Sequence, residues 1–223
     1  MTLLWSLIIK ISYACQRARS DPADNCKTDA AMSPHVSGMR YPPRIAELIQ
    51  PRLMPLGPGQ PVEAKRSALM ALRLESLCGL APSLRDRHAA ECCLAALWLL
   101  YDFLDECHRL CQKIPTAEGS YWHALMHRRE PDEENSKYWF RRVGPHAIFP
   151  ALARRAAESA SHFPSLPAQA SWLRQGTNWQ PLAFVDLCAM ARDTTSPLET
   201  LCQQIQLAEW QLLFDYCYDR AVG

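Results

Sequence analysis

The sequence predicts an all-α protein, a single-domain helical bundle of about seven to eight helices that follows an irregular N-terminal tail. Three observations favour this fold class. From residue 42 onward, apolar residues recur at the three- and four-residue spacing of a helix face. Proline, glycine and capping residues divide this pattern into segments of helix length. No segment shows the strict alternation of a convincing strand, and no internal repeat is present.

The composition restricts the class of protein. The chain has 223 residues, of which 48% are hydrophobic and 21% charged, as in ordinary globular domains. Its net charge of +1 creates no global field that would attract nucleic acid or an anionic membrane. Ten cysteines without a CxxC pair are interpreted as mostly small apolar side chains in a reducing compartment. We therefore expect a soluble, cytoplasmic protein with neither nucleic acid nor a membrane as its partner.

The first 40 residues are expected to form a poorly ordered extension, and residues 41–223 a single all-helical domain. The apolar run from Leu3 to Ile9 is too short to span a membrane, and no basic residue precedes it as in a secretory signal. Residues 16–40 are polar and irregular, and Met32 and Met39 are alternative starts to Met1.

The first helices follow from their start and stop signals. The segment "PPRIAELIQ" opens the domain, and a loop rich in proline and glycine follows it. The next helix is predicted to begin after Pro61 and to stop at Gly79. The longest helix is predicted from about Asp86 to about Lys113, because one apolar face continues along it until Pro115.

Two short helices are predicted within the stretch "SYWHALMHRREPDEENSKYWFRRVG". The first is capped by Ser120 and ends near Arg129, because Pro131 disfavours helical geometry at the residue before it. The second is capped by Asp132 and ends at Gly144.

The last part of the chain begins with a looser segment, residues 150–182, in which four prolines interrupt the helical pattern. The segment "PLAFVDLCAMAR" predicts a helix. The final helix has a capping box in "SPLE", with Ser196 as the cap, Pro197 as the first helical residue and Glu199 as the third.

A candidate metal site is predicted from four residues on two helices. His123 and His127 are four residues apart and share one helix face, a spacing that can hold a metal ion. Asp105 and His108 are three apart on the long helix, and the short connection lets the next helix fold back against it. These four residues are the predicted metal ligands and catalytic residues, with zinc, iron or manganese as the ion.

Glu130 would join the two histidines if their helix reached it. The chain has Ala124 where the zinc-peptidase motif HExxH has its glutamate, so that motif is absent.

A small anionic ligand is predicted from the arginines that follow the histidines. Arg128, Arg129, Arg141 and Arg142 are the candidate substrate-binding residues, because guanidinium groups bind phosphate or carboxylate through two hydrogen bonds. Acidic residues between them nearly cancel the local charge, which argues against nucleic acid. Trp139 is interpreted mainly as a packing residue.

Other interpretations of these residues remain open. Asp105 and His108 can simply satisfy each other by a hydrogen bond, without a metal. Asp105 could orient a histidine as a general base, and Cys111 could pair with His108 as a nucleophile, although a thiol in an apolar stripe is usually inert. Glu209, within the apolar stripe of the last helix, needs a partner, for which one of the arginines is the simplest choice.

The block "GSYWHALMHRREPDEENSKYWFRRVGPH", with the preceding "LWLLYDFLDECHRLCQKI" and the closing "EWQLLFDYCY", resembles a family of uncharacterised proteins from bacteria and fungi. The resemblance covers roughly residues 45–223 and implies no particular reaction. It implies that a set of polar and aromatic residues forms a family signature. These are His123, His127, Arg128, Arg129, Glu130, Asp132, Asn135, Trp139, Arg141, Arg142 and His146. Glu130 and His146 are therefore further candidate metal ligands.

The sequence thus predicts a metal-dependent enzyme that acts on a small anionic substrate, without choosing between hydrolysis, lyase and redox chemistry. The alternative is a non-catalytic binding or scaffold domain in which the same block is a hydrogen-bonded joint. The sequence leaves the oligomeric state open.

Overall fold

The computed structural model describes residues 40–79 and 83–223. All regular secondary structure in these residues is helical, which confirms the predicted all-α class. The predicted N-terminal extension and its alternative starts lie outside the described residues, apart from Arg40. No helix in the described part of the chain is long and apolar enough to span a lipid bilayer.

The described residues contain nine α-helices and two 3₁₀-helices. The α-helices are α1 (Pro43–Leu48), α2 (Glu63–Met70), α3 (Arg87–Leu100), α4 (Leu104–Cys111), α5 (Ala117–Arg129), α6 (Glu133–Val143), α7 (Phe149–Ser161), α8 (Pro181–Ala191) and α9 (Pro197–Val222). The 3₁₀-helices are Leu74–Leu77 and Ala168–Gln175.

Helix α5 lies at the centre of the bundle. Twelve of its thirteen residues are buried, and it packs against α3, α4, α6 and α8. Trp122 on α5 and Trp210 on α9 meet edge to face in the larger apolar cluster, with ring centroids 6.2 Å apart. A second apolar cluster joins α7, α8 and α9. A helix buried on all sides has no continuous polar face, so the amphipathic pattern of α5 is weak in the sequence.

The predicted long helix from Asp86 to Lys113 is wrong, because the chain turns at Asp102 and forms α3 and α4 instead. Asp102 has a φ of 67°, in the left-handed region that ends a helix and that aspartate tolerates better than most residues. Its buried carboxylate accepts hydrogen bonds from Arg129 at 2.5 Å and from Arg52 at 2.9 Å. These partners are distant in sequence, so periodicity could not have shown the break.

Arg129 fixes the last turn of α5 to the junction between α3 and α4. Its guanidinium is 1% exposed, and besides Asp102 it donates to the carbonyl of Leu99 at 2.9 Å. It also donates to the carbonyls of Gly57 and Pro58, each at 3.2 Å. One side chain therefore joins three parts of the chain, including the two that carry the candidate histidines.

The start of α5 also differs from its prediction. Thr116, and not Ser120, is the N-cap, and its hydroxyl accepts a hydrogen bond from the Gly119 amide at 3.1 Å. Ser120 lies inside the helix. A Cβ at Gly119 would lie 2.6 Å from the Cβ of Ile114, and closer still to the Ile114 carbonyl oxygen. The connection from α4 can therefore pass this closely over α5 only because residue 119 is glycine.

Most other boundaries agree with the sequence. The end of α5 at Arg129, the Asp132 cap of α6 and its stop at Gly144 were predicted, as were α8 and the Ser196 cap of α9. The helix predicted between Pro61 and Gly79 is shorter and is followed by a 3₁₀-helix. The looser segment contains a regular helix, α7, whose prolines lie at its start or beyond its end.

Asp102→Asn is expected to lower the free energy of unfolding by about 3–5 kcal/mol, because Arg129 would keep a buried charge without its carboxylate. Asparagine also tolerates the left-handed backbone, so the change tests the charge. Urea denaturation followed by circular dichroism measures the loss. Glu106→Gln, which breaks the half-exposed pair with Arg66, is the control and should cost no more than about 1 kcal/mol. Equal losses in the two variants would contradict a special role for Arg129 and Asp102.

Gly119→Ala is expected to destabilise the protein by about 1–3 kcal/mol, because the added methyl group meets backbone atoms of Ile114 that cannot rotate away. Thermal unfolding measures the effect. Gly57→Ala is the matched control, because a Cβ there would have its nearest neighbour at an ordinary 3.6 Å from Arg192. A neutral Gly119→Ala variant would show that the connection does not pack as closely as described.

Candidate metal centre

Three histidines from α4 and α5 converge beside the central helix. One nitrogen from each of His108, His123 and His127 lies within 4.8 Å of the others. The rings of His123 and His127 stack with centroids 4.8 Å apart, and the His108 ring meets them edge-on at 4.7 and 5.4 Å. Two nitrogens that each lie about 2.1 Å from a zinc ion are at most about 4.2 Å apart. Side-chain rotations would therefore have to draw the three nitrogens closer together for them to share one ion.

His123 is the deepest of the three. It is 2% exposed, and neither ring nitrogen has a hydrogen-bond partner among the described residues. Burial, with smaller contributions from His127 and His108, lowers the pKa of His123 to about 3. The imidazole is therefore neutral at physiological pH and has a free lone pair, as a metal ligand requires.

His127 is oriented by a carboxylate. Its Nδ1 lies 3.0 Å from a carboxylate oxygen of Glu130 and 3.9 Å from one of Asp132. Burial lowers the pKa of His127, and the charges of Glu130 and Asp132 partly oppose that effect. A histidine whose Nδ1–H donates to a carboxylate leaves Nε2 free, and metal-binding histidines commonly have this second contact.

Glu130 and Asp132 form a second possible ligand group with His127, again with one atom from each within 4.8 Å. Glu130 lies directly after the end of α5, and about half of its side chain is exposed. The Asp132 carboxylate already caps α6 and accepts a hydrogen bond from the Asn135 side chain at 2.6 Å. Because these bonds occupy the carboxylates, this group fits the role of orienting His127 better than that of holding an ion.

Two of the predicted ligands lie elsewhere. Asp105 is exposed on α4 and does not belong to the histidine group. His146 is buried, but it lies 3.9 Å from Glu118 and packs edge-on against Tyr121. His146 therefore belongs to a separate polar contact.

Arg128 and Arg129 are structural residues, which corrects the expectation that they bind a substrate. Arg128 is fully buried and donates to Glu209 at 2.7 Å. Glu209 also accepts from the Tyr121 hydroxyl at 2.8 Å, so the partner that this buried carboxylate needs is supplied by α5. Neither arginine can reach a ligand from outside without breaking these bonds or those of Arg129 to Asp102.

Arg141 and Arg142 are both exposed near the end of α6. Arg142 lies beside Trp139, with its guanidinium carbon 5.3 Å from the ring centroid. Trp139 stacks on His123 at 4.0 Å, with 23° between the ring planes. Trp139 therefore forms a wall of the histidine group, a role that the sequence did not show because a half-buried aromatic residue resembles ordinary packing.

Cys111 does not form a nucleophile couple with His108, an interpretation that the sequence left open. Its buried thiol donates to the His108 carbonyl at 3.6 Å, which is a local helix contact. The nucleophile interpretation therefore has no support from this geometry.

No family model, curated protein or solved structure matches this chain. The resemblance of the central block to a family of uncharacterised proteins therefore stays a prediction, and the candidate site depends on its geometry alone.

Lowering the pH is expected to destabilise the metal-free protein through His123. Between about pH 6.5 and pH 3 the unfolded chain protonates this histidine and the folded protein does not, so the free energy of unfolding falls as the pH falls. Urea denaturation in the presence of a chelator, at pH 7 and pH 5, measures the fall. His123→Phe keeps the ring stacked on Trp139 without a titrating group, so the fall should be smaller in this variant.

His162→Gln, which removes an exposed histidine, is the matched control for that experiment. It should show the same pH dependence as the wild type. An unchanged slope in His123→Phe would contradict a buried, neutral His123.

Proposed function

We propose that this protein is a metal-dependent enzyme that holds a divalent ion through His108, His123 and His127 and acts on a small anionic substrate. The observation that carries the proposal is the buried imidazole of His123, which has no partner for either nitrogen and faces two more histidines. A buried polar group without a partner costs free energy, and native proteins retain few of them without a function. A bound ion would give this imidazole its missing partner.

The ligand types favour zinc or iron within the predicted set of metals. Imidazole nitrogens suit both ions, whereas manganese prefers carboxylate oxygens. Three protein ligands leave at least one coordination position for water or substrate, which distinguishes catalytic zinc sites from structural ones. An ion in such a site supplies either a hydroxide nucleophile or a polarised carbonyl oxygen.

The surroundings support the same interpretation. Glu130 accepts from His127 and sets the orientation of its ring, while Trp139 covers one face of His123. The eight described cysteines are all free thiols, which agrees with a reducing compartment such as the cytoplasm.

The alternative, a scaffold domain with a hydrogen-bonded joint, accounts for only half of the central block. The arginines do form such a joint, through Arg128 with Glu209 and Arg129 with Asp102. His123 does not belong to such a joint, because it makes no hydrogen bond to any described residue. The two halves of the block therefore have different roles in our proposal.

Elemental analysis of full-length protein purified without a histidine tag tests the metal. We expect about one zinc or iron ion per chain in the wild type and a loss of most of it in His108→Ala, because removing one of three ligands weakens such a site strongly. His108 is only half-buried, so this variant should keep its fold. His162→Ala is the control and should retain the metal. Cobalt(II) added to the chelated protein should give visible absorption bands in the wild type that are absent from His108→Ala.

Wild-type protein without metal, and without cobalt bands, would overturn the proposal. If His123→Ala and His127→Ala then also unfold, the histidines have a packing role and the scaffold alternative is favoured. Circular dichroism of each variant separates loss of metal from loss of fold.

A further inference from the structure

A groove of about 460 Å³ lies beside the histidine group, a volume typical of small-molecule sites. Its walls are the connection between α4 and α5 at residues 112–117, the first turns of α5, and one side of α6. Trp139 lines it and also stacks on His123. The groove and the candidate metal centre therefore share a wall.

The groove is positively charged. Lys113 and Arg142 both line it, both are exposed, and neither forms an ion pair with a carboxylate of the described residues. No aspartate or glutamate is among the described residues that line it. Arg66 and Arg129, by contrast, are paired with Glu106 and Asp102. Two unpaired cations on facing walls favour an anionic occupant.

Ser120 also lines the groove. Ser120 is 7% exposed, and its hydroxyl forms no hydrogen bond with any described residue, not even with the preceding turn of its own helix. A helical serine normally satisfies its hydroxyl with water or with a carbonyl four residues earlier. A ligand oxygen in the groove would satisfy this donor.

The position of the groove places its occupant next to the histidines. Ser120 precedes His123 by three residues on α5, so the two side chains are neighbours on one helix face, about one turn apart. Gln112, which also lines the groove, follows His108 by four residues at the end of α4. None of the three histidines is among the described residues that line the groove, so an occupant would lie beside the histidine group, with Trp139 between them.

We propose that this groove binds the carboxylate or phosphate group of the substrate, with Lys113 and Arg142 as its cations and Ser120 as a hydrogen-bond donor. The inference deepens the proposed function, on which its catalytic meaning rests, and replaces the buried arginines by Lys113 and Arg142 as the substrate-binding pair. Binding of the anion itself does not require the metal, so the two proposals can be tested separately.

Nuclear magnetic resonance titration of chelated, full-length protein with inorganic phosphate, and separately with acetate, tests the groove. We expect saturable shifts of the Thr116, Ala117 and Ser120 amides and of the Trp139 indole with at least one of the two anions. Saturation by phosphate alone identifies a phosphate ester as the substrate class, and saturation by acetate alone identifies a carboxylate. Lys113→Gln and Arg142→Gln should each raise the dissociation constant about tenfold or more, as expected for the loss of a charge-assisted contact.

Arg141→Gln is the matched control, because Arg141 is equally exposed and adjacent in sequence but does not line the groove. It should leave the dissociation constant within about twofold of the wild type. Shifts that never saturate with either anion would overturn the proposal, as would equal weakening by Arg141→Gln and Arg142→Gln. If the protein contains the metal but binds neither anion, the metal centre is supported and the groove proposal is overturned. If it binds an anion but contains no metal, the groove proposal is supported and the metal centre is overturned.

Discussion

The buried ion pair between Arg129 and Asp102 is the interaction on which the geometry of the centre depends. Asp102 ends α3 and sets the direction of α4, which carries His108. Arg129 belongs to the last turn of α5, which carries His123 and His127. The pair therefore ties the start of α4 to the last turn of α5, the two helices that carry the histidines. Burying two charges is costly unless both are well satisfied, and the added carbonyl and Arg52 contacts provide that satisfaction.

Helix α5 separates two kinds of polar chemistry. Arg128 and Arg129 form ion pairs with the buried carboxylates of Glu209 and Asp102, so they stabilise the fold and are not free to bind a ligand. His123 and His127 lie on another side of the same helix, next to α4, and Glu130 and Asp132 lie beside His127. A buried arginine keeps its charge and must be paired, whereas a buried imidazole can lose its proton and stay uncharged. This difference allows a single helix to supply both a rigid joint and a pair of neutral imidazoles.

The sequence predicted what depends on local signals and missed what depends on distant partners. Capping by Asp132 and Ser196, the end of α5 before Pro131 and the shared face of His123 and His127 all follow from residues a few positions apart. The break at Asp102 depends on Arg129, 27 residues away, so a continuous apolar stripe concealed it. For the same reason, the sequence predicted that Arg128 and Arg129 bind a ligand, since the spacing of arginines cannot show which of them are paired with acids. The contact between His108 and α5 could be predicted, because the loop that connects α4 to α5 is short. The exposure of Asp105 could not be predicted from its spacing to His108.

Complete burial of α5 also bears on exchange kinetics. Amides in a helix packed on every side open to solvent only in the largest unfolding events, so hydrogen exchange in α5 should be among the slowest in the chain. We therefore expect the backbone that carries His123 and His127 to open only in the largest unfolding events. His108, in contrast, lies on the short helix α4 and is half-exposed. His108 is the most exposed of the three, so it would be the ligand through which an ion held by them is accessible to solvent.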